Sequence, residues 1–302
     1  MTTSKYATAF MALILLAAGC AQAPRNPVDN TSLDSNASPA TATETADIAT
    51  DRLAIIEEIM KESGTDAMIE QVPAMVAMGF DQQQPPPLDR DDYEKFRKTF
   101  IAAFDPPRIR QTIVMHLQEN YDTERYAAFL TQLKSPLGRK MTALETAAHT
   151  PQAQQEMMRM GNIIMGQASP ERLKLVRRLD EAAGATDGNL HMQMLMTETM
   201  IRNLNRIMPA PKRLSDPQMN QMLEQIRMQS IFPIRQVTHL SMVYTFRSID
   251  DTELQEYIQL YESDTGRWGT KLLRGAWERV SADIALELAQ RIEQTFIEKN
   301  AL

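Results

Sequence analysis

Five times after residue 50 this chain sets a short polar side chain directly before a proline: Asp105-Pro106, Ser135-Pro136, Thr150-Pro151, Ser169-Pro170 and Asp216-Pro217. The first turn of a helix leaves backbone N–H groups without intrahelical partners. A Ser, Thr or Asp at the cap accepts from one of them, and a proline at the first helical position loses nothing by lacking its own N–H. Each pair therefore marks a helix start. From Asp51 onward the apolar residues between these marks recur with helical period. Leu53, Ile56 and Met60 line one face of a first helix that stops at Gly64, and Tyr93, Phe96, Phe100 and Phe104 line a later one. Val280, Ile284, Leu288, Ile292 and Phe296 fall at near-fourfold spacing in a terminal helix over about 264–299. Pro73 and Pro233 sit inside apolar stretches and are expected to kink or split the helices there. Alternating strand-like runs are few and Val is scarce, while Met is abundant at 21 residues. The predicted fold class is all-α, a multi-helix array.

The N-terminus has a different character. Lys5 precedes an apolar run from Ala7 to Ala18, and the run closes Leu16-Ala17-Ala18-Gly19-Cys20 on the only cysteine of the chain. The run is too short for a spanning helix, which needs about 20 apolar residues, and reads as a secretory signal. Small residues before a lone cysteine resemble the bacterial lipobox, in which the thiol is acylated and becomes the new N-terminus. Ala17 stands where that pattern prefers Leu. The alternative, a simple signal cut after Ala23, would leave Pro24 behind the cut, which processing disfavours. Residues 1–19 are thus expected to be a lipoprotein signal peptide, with Cys20 the lipidated residue and the membrane a partner through that anchor. Ala21 after Cys20, in place of the aspartate of the inner-membrane retention pattern, points to the outer membrane and its periplasmic side.

Residues 20–50 are Ser, Thr, Asn, Asp, Ala and Pro with almost no large apolar side chain. Such a stretch cannot bury enough surface to offset its ordering entropy and reads as a flexible tether. With Cys20 committed to lipid, no thiolate metal site or disulfide can form in the mature chain. The formal charge is −7, and −8 without Lys5, from 31 basic against 39 acidic residues. That excess argues against a nucleic-acid partner and against a basic patch for anionic lipid.

The remainder repeats itself. Arg52-Leu53-x-Ile55-Ile56-x-x-Ile59 followed by Gly64 matches Arg172-Leu173-x-Leu175-Val176-x-x-Leu179 followed by Gly184, 120 residues on. Ile109-Arg110-Gln111 matches Ile234-Arg235-Gln236, and Ser135-x-x-Gly138-Arg139 matches Ser263-x-x-Gly266-Arg267, the last at a separation of 128. The matches are collinear, as a duplication would leave them. They divide the chain into a helical half over 51–168 and a second over 169–302. In each Ser-x-x-Gly-Arg turn the serine is expected to cap a helix, the glycine to admit a neighbouring backbone, and the arginine to reach a carboxylate or the carbonyl end of the preceding helix. Neither serine carries the surroundings of a nucleophile.

The stretch from Tyr126 to Met141, with its aromatic-led helix and Ser-Pro-x-Gly-Arg turn, resembles the bacterial family catalogued as domain of unknown function 2059. The likeness covers about residues 105–165. It is weaker in the second copy, where Asp264-Thr265 replaces the proline. The resemblance implies a small helical exported or envelope protein, and it implies no chemistry.

No His-x-x-x-His or His-Glu-x-x-His spacing occurs among His116, His149, His191 and His239, so no helical zinc site is encoded locally and no cofactor is expected. His191, Met192, Met194 and Met196, followed by Met200, are soft ligands that would suit copper. Met192, Met196 and Met200 also fall at i, i+4 and i+8, the spacing of a core stripe. Flexible methionines with Phe100, Phe104, Phe129, Tyr257, Trp268 and Trp277 could instead line an adaptable groove for an apolar ligand or an envelope protein. Of the acidic pairs, Glu57-Glu58 suits a solvated face and Asp250-Asp251 a helix cap. A non-enzymatic binding protein is the expectation, ahead of a hydrolase acting on envelope substrates or a copper carrier.

Overall fold

In the computed structural model, which describes residues 42–81, 90–207, 211 and 213–300, the cap oxygens reach the backbone. Asp105 accepts from the N–H of Arg108, Ser135 from Gly138, Thr150 from Ala153 and Ser169 from Arg172. Asp250 does the same for Glu253 at 2.8 Å. The start near Pro217 differs by one residue. Ser215 is the cap, Asp216 and Pro217 follow inside the helix, and the Gln218 side chain accepts from the Ser215 N–H at 2.9 Å.

The described residues form helices and no strand. In chain order they are α1 (Ala42–Glu62), α2 (Thr65–Asp81), α3 (Arg90–Ala102), α4 (Pro106–Glu119), α5 (Thr123–Lys134) and α6 (Pro136–Ala148). There follow α7 (Pro151–Gln167), α8 (Pro170–Ala183), α9 (Ala185–Ile207), α10 (Asp216–Thr245), α11 (Asp251–Glu262) and α12 (Asp264–Asn300). The signal segment, Cys20 and the Gln-Pro run at 82–87 lie outside the described residues, as do the side chains of Phe96, Met200, Ile292 and Phe296.

Several expectations need correction. Helix α1 begins at Ala42, inside the stretch read as tether. Once the core residues beyond Asp51 nucleate the helix, propagation back through a segment with Ala42, Ala46 and Ala49 is cheap. Leu53 is 40% exposed, and the buried face of α1 is carried by Ile56, Ile59 and Met60. Phe104 is buried, but past the end of α3. Neither inner proline splits its helix: Pro73 lies within α2 and Pro233 within α10. A proline removes one backbone bond and crowds the carbonyl four residues back. Buried residues on both sides (Ile69 and Val76 around Pro73, Ile226 and Ile234 around Pro233) hold each helix together across that defect.

Two apolar clusters form the main core. The larger joins α1 to α5 with α12 through Ile56, Ile59, Phe80, Ile113, Tyr126 and Leu288. The second joins α6, α8, the end of α10 and α11 through Met141, Leu179, Phe246, Leu254 and Ile258. Each such side chain, once fully buried, contributes about 1.5–3 kcal/mol from its apolar area.

Two helical hairpins lie where the clusters meet, α5–α6 and α11–α12. Their turns are built alike. The Ser135 hydroxyl donates to the Gln132 carbonyl at 2.7 Å and accepts the Gly138 N–H at 3.0 Å. The Ser263 hydroxyl donates to the Leu260 carbonyl at 2.7 Å and accepts the Gly266 N–H at 2.9 Å. A Cβ on Gly138 would lie 2.5 Å from the Gln132 carbonyl oxygen, and one on Gly266 would strike the Leu260 carbonyl. The arginines use the partners foreseen for them, and Arg267 uses both kinds, pairing also with the Asp264 carboxylate. Arg139 holds Glu62 with bonds of 2.9 and 3.0 Å, and Arg267 donates to the Glu262 carbonyl at the end of α11.

The hairpins pack reciprocally, α5 on α12 and α6 on α11. Gly269 on α12 makes room for the Phe129 ring, and the Gln132 amide donates to the Leu260 carbonyl at 3.3 Å. At the ends of α1 and α8 the chain turns through Gly64 and Gly184, which adopt φ of +74° and +56°. Only glycine enters that region without steric cost, and the left-handed residue lets the next helix start at once.

Candidate functional site

Between the two clusters lies a cavity of about 220 Å³. The same faces of both hairpins turn toward it. Phe129 and Tyr257, Gln132 and Leu260, Leu133 and Tyr261 line it from α5 and α11. Thr142 and Thr270, Glu145 and Leu273, His149 and Trp277 line it from α6 with its C-cap and from α12. The members of every one of these pairs are 128 residues apart. Further wall comes from the turn at Gly64, where a Cβ would meet Thr142 and Thr146, and from Ile234, Thr238, Ser241 and Met242 on α10.

The paired positions differ in chemistry, and that difference gives the cavity two ends. On α6, Thr142, Glu145, Thr146 and His149 recur at i, i+3, i+4 and i+7, so one helix face presents a polar stripe inward. Tyr257 and Tyr261 on α11, at i and i+4, face that stripe. The Tyr257 hydroxyl donates to Glu145 Oε1 at 2.7 Å, and the Tyr257 and Tyr261 hydroxyls stand 3.2 Å apart. A phenol has one proton. With that of Tyr257 given to Glu145 in the shorter contact, Tyr261 is the donor in the longer one. The counterparts of Glu145, His149, Tyr257 and Tyr261 are Leu273, Trp277, Phe129 and Leu133, all apolar, whereas those of Thr142 and Thr146 are Thr270 and Arg274.

Electrostatics follow from the packing. Desolvation pushes the Glu145 carboxyl up to about 7, against the hydrogen bond from Tyr257, which lowers it. No basic group among the described residues offsets that burial. Tyr257 is pushed well above its usual range, first by burial and then by the charge of Glu145. Burial also pushes His149 below the ordinary imidazole range, opposed by a bond to the Glu145 carbonyl. That bond joins His149 Nδ1 to the carbonyl oxygen at 2.7 Å, so Nδ1 carries the proton and Nε2 is left an acceptor. Gln193, 4% exposed and also on the wall, keeps its Oε1 without a partner among the described residues.

Among the described side chains on this wall, no serine or threonine hydroxyl is hydrogen-bonded to a histidine or carboxylate. The nucleophile–base contact of a hydrolase is therefore not formed here.

The residues singled out in the sequence are distributed differently. Ser135, Gly138, Arg139, Ser263, Gly266 and Arg267 build the hairpin turns, and only the two glycines touch the cavity. Of the six aromatic residues considered for a groove, Phe129, Tyr257 and Trp277 line it. Phe100 and Phe104 belong to the core, and Trp268 packs edge-on against Tyr126. The methionines on the wall are Met68, Met75, Met157 and Met242, not the run at 192–200. In that run Met196 is buried in the larger cluster, while His191 is exposed and faces Glu278 at 3.9 Å, so the soft ligands are not gathered. Among the described residues no group of three His, Cys, Asp or Glu side chains is placed to hold a metal ion. Glu145 was missed because it has no acidic neighbour in sequence. Its signal was the polar stripe on α6, at the spacing where the first core face of α1 is apolar.

No family model matches the chain, and neither a curated protein nor a solved structure matches it.

Proposed function

We propose that this chain is a non-enzymatic binding protein of the bacterial envelope, which holds a small, largely apolar molecule in the cavity between two duplicated helical halves. The observation that carries the reading is the cavity itself. Native interiors are close-packed, and here the faces of two hairpins leave a recess that their own side chains do not fill. An apolar cavity of 150 Å³ already takes up benzene, so about 220 Å³ accommodates a ligand somewhat larger. Duplication is supported by the seven lining pairs 128 residues apart, Gly138 and Gly266 included, and by the paired left-handed glycines. Anchoring through lipid on Cys20 at the periplasmic side of the outer membrane, and kinship with the helical envelope family, rest on the sequence patterns at 5–22 and 126–141. No described helix is long and apolar enough to cross a membrane.

Thermal unfolding in the presence of indole, a neutral aromatic of suitable size, tests the reading. A ligand at a hundredfold its Kd stabilises the native state by about 2.7 kcal/mol. Indole should raise the unfolding temperature of the wild-type chain by several degrees and leave Thr270→Trp, whose added ring fills the cavity, unmoved. An unshifted wild type, or equal shifts in both, would refute the cavity as a binding site.

A further inference from the structure

The two ends of the cavity define more than its size. We propose that its ligand is a small amphipathic amine, with the ammonium seated at Glu145, Tyr257 and His149 and the apolar body against Phe129, Leu273 and Trp277. This deepens the proposed function and rests on it.

The argument is one of donors and acceptors. Glu145 receives one bond, from Tyr257, whereas a carboxylate has about four acceptor sites. His149 spends its single N–H on the backbone and offers only a lone pair. The unused capacity of the carboxylate and the imidazole at this end is thus on the accepting side. An ammonium group has three donors and no acceptor, a match that neither a carboxylate nor a single hydroxyl supplies. An acidic ligand would add a second acceptor-only group and a like charge.

Charge leads to the same class. A half-buried, desolvated carboxylate with no cation beside it among the described residues is a costly arrangement, and a structural role does not account for one placed on a cavity wall, where Leu273 stands at the corresponding position of the other hairpin. A ligand cation completes the pair. The asymmetry between Glu145–Tyr257 and its counterpart Leu273–Phe129 then orients the molecule, head to one side and body to the other.

The test is calorimetric titration of the full mature chain with 2-phenylethylamine, its neutral isostere 2-phenylethanol, and phenylacetate. The amine should bind at least about tenfold more tightly than the alcohol, the size expected of one charge-assisted bond, and phenylacetate should bind more weakly than either. Glu145→Gln should abolish the preference for the amine. The titratable groups facing Glu145 are His149, Tyr257 and Tyr261; burial pushes the His149 imidazole down and the Tyr257 phenol up, which leaves Glu145 as the group whose protonation opposes a cation. Amine affinity should therefore fall about tenfold from pH 8 to pH 6 as Glu145 takes up a proton, while alcohol affinity stays level. Equal binding of amine and alcohol, or an amine preference that survives Glu145→Gln, overturns the head-group assignment and leaves the cavity reading standing. If neither molecule binds the wild type, the cavity reading falls with it.

Discussion

Gln132 donates its side-chain amide to the carbonyl of Leu260 at 3.3 Å, and the two residues occupy the same place in their respective turns, three before the capping serine. A contact between corresponding residues is what a two-fold arrangement produces at its axis, as in an isologous interface between subunits. Here both surfaces belong to one chain. The packing of α5 on α12 and α6 on α11 has the same reciprocity. Within that near-symmetric frame, replacing Leu273 by Glu145 and Phe129 by Tyr257 at corresponding places makes one side of the cavity polar.

The turn glycines should tolerate no side chain. A Cβ at Gly138 or Gly266 would overlap the carbonyl oxygen of the preceding helix. Backbone, unlike a flexible side-chain tip, cannot move aside cheaply. Gly138→Ala and Gly266→Ala should each cost about 1–3 kcal/mol by overpacking. Gly166, with nothing within 4 Å of an added Cβ, is the control. Gly166→Ala should gain up to about 1 kcal/mol of helix propensity. Urea unfolding of the three variants decides whether crowding sets the sign.

Glu145 should make the protein less stable as pH rises. Its folded value of about 7 lies above the ordinary 4.5, so the native state holds a proton that the unfolded state has released. The native state is therefore favoured below about 4.5, and stability is lost progressively as pH climbs through 7. The full loss from this group is on the order of 3 kcal/mol. Glu145→Gln should flatten that slope and unfold at higher urea than wild type at pH 8.5, with the difference vanishing near pH 4.5. A slope unchanged by the substitution would show that Glu145 is solvated.

Most of the fold was legible in the sequence for local reasons. Cap–proline pairs act within four residues, and apolar period acts within a turn or two, so helix starts and buried faces could be read directly. Two errors were of reach. The helix at Ala42 is sustained by packing further along the chain, and Pro73 by neighbours on other helices. The cavity was not legible at all, because its polar end joins Glu145 on α6 to Tyr257 on α11, 112 residues apart. Periodicity shows that Glu145 and His149 share a face. It does not show that the face points inward, since a polar stripe on a single helix is the usual mark of solvent.

Asp180 should anchor the junction between α8 and α9. Its carboxylate accepts from the Thr186 N–H at 2.7 Å, from the Thr186 hydroxyl at 2.6 Å, and faces His239 Nε2 at 2.9 Å. Burial pushes the carboxyl up, but the bonds from His239 and Thr186 outweigh it and hold it below the ordinary value. A carboxylate held low contributes stability above its unfolded value of 3.8, and that contribution is lost as pH falls below it. Asp180→Ala should cost about 2–4 kcal/mol, as loss of a buried cap and of a charge partner together. Thermal unfolding at pH 7 measures the cost. A loss under about 0.5 kcal/mol would mean that the junction is held by Gly184 alone.

Lipidation should depend on one atom. Cys20→Ser removes the sulfur that would be acylated, so labelled palmitate should no longer be incorporated and the chain should leave the membrane fraction. Persistent labelling, or a wild-type N-terminus at Pro24, would replace the anchor with an ordinary secretory cut.

The cavity is tested most directly by what it carries when the protein is purified from the cells that make it. Denaturing extraction of the wild type and of Thr270→Trp in parallel, followed by mass spectrometry, should release from the wild type a small amine-bearing molecule that the filled variant lacks. Identical extracts from the two proteins would contradict the account.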